Sequence, residues 1–327
     1  MTGKRIRLPV IGWNDTEASL ASRAAIATVL LLIIGGLAAP STVSASAFLS
    51  MLPFFAILAV ASIGQHLVIL QRGLDISVAG VMSLAAALVT VLPHNDADAW
   101  TTIGYVLVVL GMGVVSGLIV GLIVTRLSVP ALVATIGANS VLLGLTLLVS
   151  GSIPSKAPDS LSHFALGKFL GIPDTLFAMA LVVAAAIFII GRTTIGRRFI
   201  AVGVNPAAAH AVAIPVDIYR VGTYVVASVC YAGAGVMLAG YLSIPTVSCG
   251  SPYLLATVAA VVVGGNSIGG GVRGSVIATV IGAFFLTYLD QLVLAAGFQT
   301  SMQDIVEALI VVSGVALPVV AQRLRHA

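Results

Sequence analysis

Long apolar runs without a single charge recur along this chain, at residues 24–39, 178–190 and 275–286 among others, and no other feature restricts its possible folds so severely. A run of about 20 such residues crosses the hydrocarbon core of a bilayer as a helix, since there the backbone must satisfy its own hydrogen bonds. The rest of the composition agrees. Only 8% of the 327 residues are charged, against about a quarter in a soluble domain, and the mean hydropathy is +1.16. The segments are continuously apolar rather than alternating, which favours helices over a membrane barrel. Many of the 34 glycines fall inside the runs, and small-residue pairs such as Gly117 and Gly121 let helices approach closely.

Hydrophobic runs read against their polar punctuation give ten spans, near 24–39, 48–70, 77–92, 103–125, 129–150, 175–191, 219–242, 252–264, 274–296 and 303–320, the third and eighth being short. The expected fold is an all-α polytopic bundle with both termini cytoplasmic. It comprises a segment 1–23, a transmembrane domain 24–320 and a tail 321–327. The first residues are basic (Lys4, Arg5, Arg7) and no small-residue cleavage site follows a short apolar stretch, so the first run reads as a retained span. With the amino terminus inside, all but Lys156 and Lys168 of the fifteen lysines and arginines fall on the cytoplasmic side, as the positive-inside rule requires. A wrong span count would scramble that asymmetry.

Two connections exceed mere turns, an external one at 150–174 and an internal one at 192–217. The internal loop carries Arg197 and Arg198, then Asn205 and Pro206, which suit the cap and first position of a helix. Helix-prone alanines follow, and Pro215 ends the segment. A short helix held beside the membrane by two flanking spans suits a cytoplasmic partner; an amphipathic surface helix without one is the alternative.

Chemistry of other kinds is scarce. The glycine-rich stretch 264–274 lacks the lysine and Ser/Thr of a phosphate-binding loop and joins two spans rather than a strand and a helix. His66, His94, His163, His210 and His326 are scattered without metal-ligand spacing, and Cys230 and Cys249 suggest neither a disulfide framework nor a metal site. Asp75 or Ser77 reads as a helix cap. Nothing assembles an enzyme site or a nucleic-acid surface. Polar residues inside spans offer a path for a neutral polyol: Ser62, Gln65, Thr135, Asn139, Ser140, Tyr288 and Gln291, each of which has an interhelical hydrogen bond as its plainer alternative. Asp290, an ionisable residue within the ninth span, either lines that path or meets water near an interface.

Four separated stretches, RGLDISVAGVMSLAA from Arg72, VPALVATIGANSVLLGLTLLVSG from Val129, GRRFIAVGVNPAAAHAVAIPV from Gly196 and AAVVVGGNSIGGGVRGSVIATVIGA from Ala259, resemble in order and spacing the motifs of ribose-type ABC sugar permeases. The resemblance covers about residues 45–320. It implies a bacterial inner-membrane pore made with a second permease copy or a paralogue. An external solute-binding protein would deliver solute, and a pair of ABC ATPase subunits would use ATP and Mg, no cofactor being bound by this chain. It places Arg197, Gly203, Asn205, Ala207, Ala208, Ala209, Ala213 and Ile214 at or beside the ATPase contact. Pro206 stands where the family often has glutamate and Ala213 where it usually has glycine. Around Asp290 the chain reads LDQLVL where the family often has LRNGLN. The rival readings are a secondary transporter with Asp290 or Glu307 as a proton or cation site, an ABC permease for amino acids or nucleosides, and a membrane enzyme.

Overall fold

The computed structural model describes residues 13–93, 98–270 and 274–326. Lys4, Arg5, Arg7, His94 and Arg273 lie outside them. The chain forms α1 (Trp13–Ala38), a 3-10 turn (Pro40–Val43), α2 (Ala45–Leu70), α3 (Val78–Val91), α4 (Ala99–Arg126), α5 (Ala131–Ser150) and α6 (Asp159–Leu166). A two-residue hairpin follows, β1 (Lys168–Phe169) pairing antiparallel with β2 (Ile172–Pro173). The remaining helices are α7 (Asp174–Arg192), α8 (Thr194–Val204), α9 (Pro206–Ala211), α10 (Val216–Leu242), α11 (Tyr253–Val263), α12 (Val276–Ala295) and α13 (Thr300–His326).

Each of the ten expected spans falls on a helix. Seven described helices, α1, α2, α4, α5, α7, α10 and α12, are long and apolar enough to cross a bilayer. The protein is therefore a multi-pass helical membrane protein. α3 and α11, with 14 and 11 residues, reach only about 21 and 17 Å at 1.5 Å per residue, short of a ~30 Å core. Both begin inside the bundle. Gly250, in the turn before α11, donates its N–H to Ser83 Oγ of α3 at 3.0 Å, and both residues are buried.

Packing is organised around α2 and α10, which lie side by side and bury most of their length. Small residues permit this. A Cβ on Gly117 or Gly121 of α4 would run into the α10 backbone at Tyr224, Val225 and Val221, so the expected small-residue pair is a genuine helix contact. The contacts also repeat: α10 packs along α4 and α3, α2 along α12 and α11, and α5 closes on α3 as α13 closes on α11. By contrast α7 buries few of its residues fully and packs chiefly along α2.

The structure corrects three local expectations. Loop 150–174 is ordered by α6 and the hairpin, and Ala157 N–H bonds the Ser243 carbonyl at 2.7 Å to tie it to the end of α10. The internal loop contains a second helix, α8, ahead of the expected one. Neither Asp75 nor Ser77 caps α3: the Ser77 N–H and hydroxyl both donate to Asp75 Oδ1, at 2.9 and 2.6 Å. This is a local turn that competes with the helical pattern.

Candidate functional site

The internal segment is built from capped short helices. Thr193 Oγ1 accepts from Gly196 N–H at 3.1 Å to start α8, and Asn205 Oδ1 accepts from Ala208 N–H at 3.0 Å to start α9, with Pro206 in its first turn. Each cap satisfies an N–H that the helix itself leaves orphaned. α9 closes with paired bonds, Ala213 N–H to the His210 carbonyl and Ile214 N–H to the Ala209 carbonyl. This Schellman arrangement requires a left-handed residue. Ala213 supplies it at φ 58°, the position where a glycine would be at ease.

This segment is fastened to α2. Gln71 Nε2 donates to the Phe199 carbonyl at 2.8 Å and Arg72 Nη2 to the Val204 carbonyl at 2.7 Å. Phe199 packs on Leu67 and Leu70. Gly203 lies so close that a Cβ there would stand 2.5 Å from the Leu70 carbonyl oxygen. The glycine-rich connection rests on the same helix end, Gly270 lying against Ile69 and Arg72. On the outside of the segment Arg197, Ala207, Ala208 and Ala213 are exposed and Ile214 is half-buried, whereas Ala209 faces inward at 3% exposure. Gln71 and Arg72 were not legible as anchors, because their acceptors are carbonyls more than a hundred residues away.

Among the expected path residues, several hold helices together. Asn139 Oδ1 accepts from Gly80 N–H at 2.7 Å. Thr135 Oγ1 faces the Leu74 and Leu132 carbonyls. Exposed Ser140 bonds back to Ile136. Tyr288 is fully buried, its hydroxyl 3.0 Å from Thr42 Oγ1. Ser62 and Gln65 lie in the buried seam between α2 and α10. There Tyr231 donates to Gln65 Oε1 at 2.8 Å, while Ser62 Oγ and Gln65 Nε2 have no partner among the described residues. One turn on, His66 Nδ1 shares a 2.9 Å hydrogen bond with Thr279 Oγ1, which accepts from Asn266 Nδ2. This ties α2 to α12 and the glycine-rich connection. Unpaired buried polar atoms are costly, so the seam is a strained polar interior inside an apolar bundle.

Asp290 and Gln291 sit elsewhere, in a cavity of about 550 Å³ bounded by the first turns of α2, the end of α10, the start of α11, the end of α12 and the start of α13. Phe54 and Tyr253 supply aromatic wall, and Gln303, Asp304 and Glu307 complete a polar side. Gln303 Nε2 donates to the Asp290 carbonyl at 3.0 Å, holding α13 against α12. The sequence signal for the α13 side was present: 303, 304 and 307 fall on one helical stripe.

The bundle thus combines two short helices that meet inside it, a fastened pair of short helices and a largely apolar cavity with one polar side. The model of the family described as branched-chain amino acid transport system / permease component matches residues 47–313, and the chain belongs to this family, within its ribose-type ABC permeases. It is similar to the Ribose import permease protein RbsC of Haemophilus influenzae, 31% identical over 90% of this chain and 91% of the relative. The protein of the same name from Escherichia coli K12 is 28% identical over 89% and 91%. The Autoinducer 2 import system permease protein LsrC of Enterobacter sp. strain 638 is 31% identical over 83% and 77%. No solved structure matches. The chain is a transport subunit and not an enzyme.

Proposed function

We propose that this chain is the membrane-spanning subunit of an ATP-driven importer that carries a sugar or sugar-like solute into the cytoplasm by alternating access. The observation that carries the reading is the α8–α9 segment: exposed on one side, capped at both ends and hydrogen-bonded through Gln71 and Arg72 to the central helix α2. A force applied to Ala207 and Ala208 passes directly into the bundle core. The named relatives, importers of ribose and autoinducer 2, support the solute class.

In this reading the chain threads the inner membrane ten times with both termini cytoplasmic, α3 and α11 doing so together with the non-helical residues that lead into them, and a second permease copy completes the pore. Arg72, Arg126, Arg192, Arg197, Arg198 and Arg220 share the ATPase side, while Lys156 and Lys168 face out, where a solute-binding protein docks. ATP binds more tightly to the closed ATPase pair, and that difference drives the switch. Solute enters from the external cavity and moves toward the seam of Ser62 and Gln65. The permease reconstituted with its cognate ATPase and receptor should take up solute only with ATP, unaffected by an uncoupler. Uptake that collapses with an uncoupler and persists without ATP would establish the secondary-transporter alternative instead.

A further inference from the structure

The external cavity has a chemical bias that a neutral-polyol path does not need. Asp290, Asp304 and Glu307 all line it, near enough to repel one another, and no lysine, arginine or histidine lines it among the described residues. Glu307 is only 5% exposed, and its carboxylate meets no hydrogen-bond donor or cation among the described residues. Gln291 Oε1, on the same wall, is buried and unpaired as well. Burying an unpaired acid is expensive unless a proton or a cation neutralises it, and an ionisable residue held inside a membrane bundle marks a functional position.

A ligand that completes the site is not a metal, since no described cluster of acids, histidines and cysteines has metal-holding geometry. Nor does the nearby start of α11 offer an anion site. Its first two N–H groups are already used, Tyr253 to the Gly250 carbonyl and Leu254 to the Ser251 carbonyl. What fits is an organic cation that also donates hydrogen bonds.

We propose that the cavity is a subsite for a polyhydroxylated amine, an amino sugar or amino polyol, with its ammonium group between Asp290 and Glu307 and its hydroxyls toward Gln291 and Gln303. This rests on the importer reading for its role in uptake, but not for the binding itself. Tyr253 and Phe54 offer apolar faces to the ring, and the uncompensated negative field turns away anionic solutes such as sugar phosphates.

The test uses the full chain in phosphatidylcholine nanodiscs at neutral pH, with glucosamine, glucose and glucose 6-phosphate as probes, read by saturation-transfer NMR against empty discs. Glucosamine should bind about tenfold more tightly than glucose, as expected for charge-assisted hydrogen bonds, and glucose 6-phosphate should give no signal. Glu307→Gln should bring the first two within about twofold of each other. Because Glu307 is buried, the exposed Asp304→Asn serves as a second variant that folding cannot confound, with a smaller loss of preference. Equal binding of all three probes, or both variants keeping the full preference, would overturn the proposal. A permease that shows this preference yet transports without ATP would instead defeat the importer reading and leave the subsite intact.

Discussion

The two ends of the bundle are finished in opposite ways. At the α8–α9 end, Asn205, Thr193, Gln71 and Arg72 each make a hydrogen bond of 3.1 Å or less, and Gly203 is wedged against α2; among these side chains Gln71 Oε1 alone is left buried without a partner. At the cavity end, Gln291 Oε1 is buried without a partner, and Glu307, 5% exposed, makes no hydrogen bond or ion pair among the described residues. A segment fastened by several hydrogen bonds and close packing moves as one piece with the helix that holds it. A site whose bonds are incomplete has room for a ligand to complete them. On the proposed reading, the first end transmits a motion and the second receives a solute.

Substitutions at the fastened end should have the largest effects. Gly203→Val forces a side chain into the Leu70 carbonyl, an overpacking that costs about 1–3 kcal/mol. It should reduce ATP-dependent uptake by more than about tenfold while leaving solute binding at the cavity unchanged; equal loss of both would mean that the ends are not separable. Asn205→Ala removes the α9 cap, worth about 1 kcal/mol, and should raise proteolytic cleavage or hydrogen exchange across 206–214 with a partial loss of uptake. Ala213→Gly is expected to act in the other direction. It relieves a left-handed alanine, about 1 kcal/mol of strain, so exchange across the same residues should slow.

Tyr288→Phe separates packing from path. Its hydroxyl meets Thr42 at 3.0 Å, so the variant should lose about 1 kcal/mol of stability in a thermal melt and keep uptake; a change in solute preference would put Tyr288 back on the path. The smallest effect is expected at the exposed Arg126–Asp217 ion pair, 3.2 Å long. Removing it with Arg126→Ala should change stability by less than about 0.5 kcal/mol, as exposed pairs usually do.

Much of this was written locally in the sequence. The ten helical segments, the Asn205–Pro206 start of α9 and the Gly117–Gly121 contact follow from hydropathy, capping and small-residue spacing, each within one turn or one span. α8 was hidden because its apolar Phe199 packs on Leu67 and Leu70, at a helix end more than a hundred residues earlier. The cavity was hidden for a similar reason. Asp290 and Glu307 each stood out as a charge in a span, but only tertiary packing sets them on one cavity with Gln303. Asn139 and Tyr288 illustrate the converse, since a polar residue inside a span looks the same in sequence whether it meets solute or another helix.

The central claim, that the α8–α9 face is where an ATPase grips this chain, is tested most directly by co-purification. The native chain and an Ala207→Asp, Ala208→Asp variant, which alters only exposed residues and leaves buried Ala209 in place, are each isolated with the cognate ATPase co-expressed. The native chain should retain the ATPase, and the variant should lose it while eluting as a folded protein of the same size. Retention of the ATPase by the variant at native levels would contradict the account.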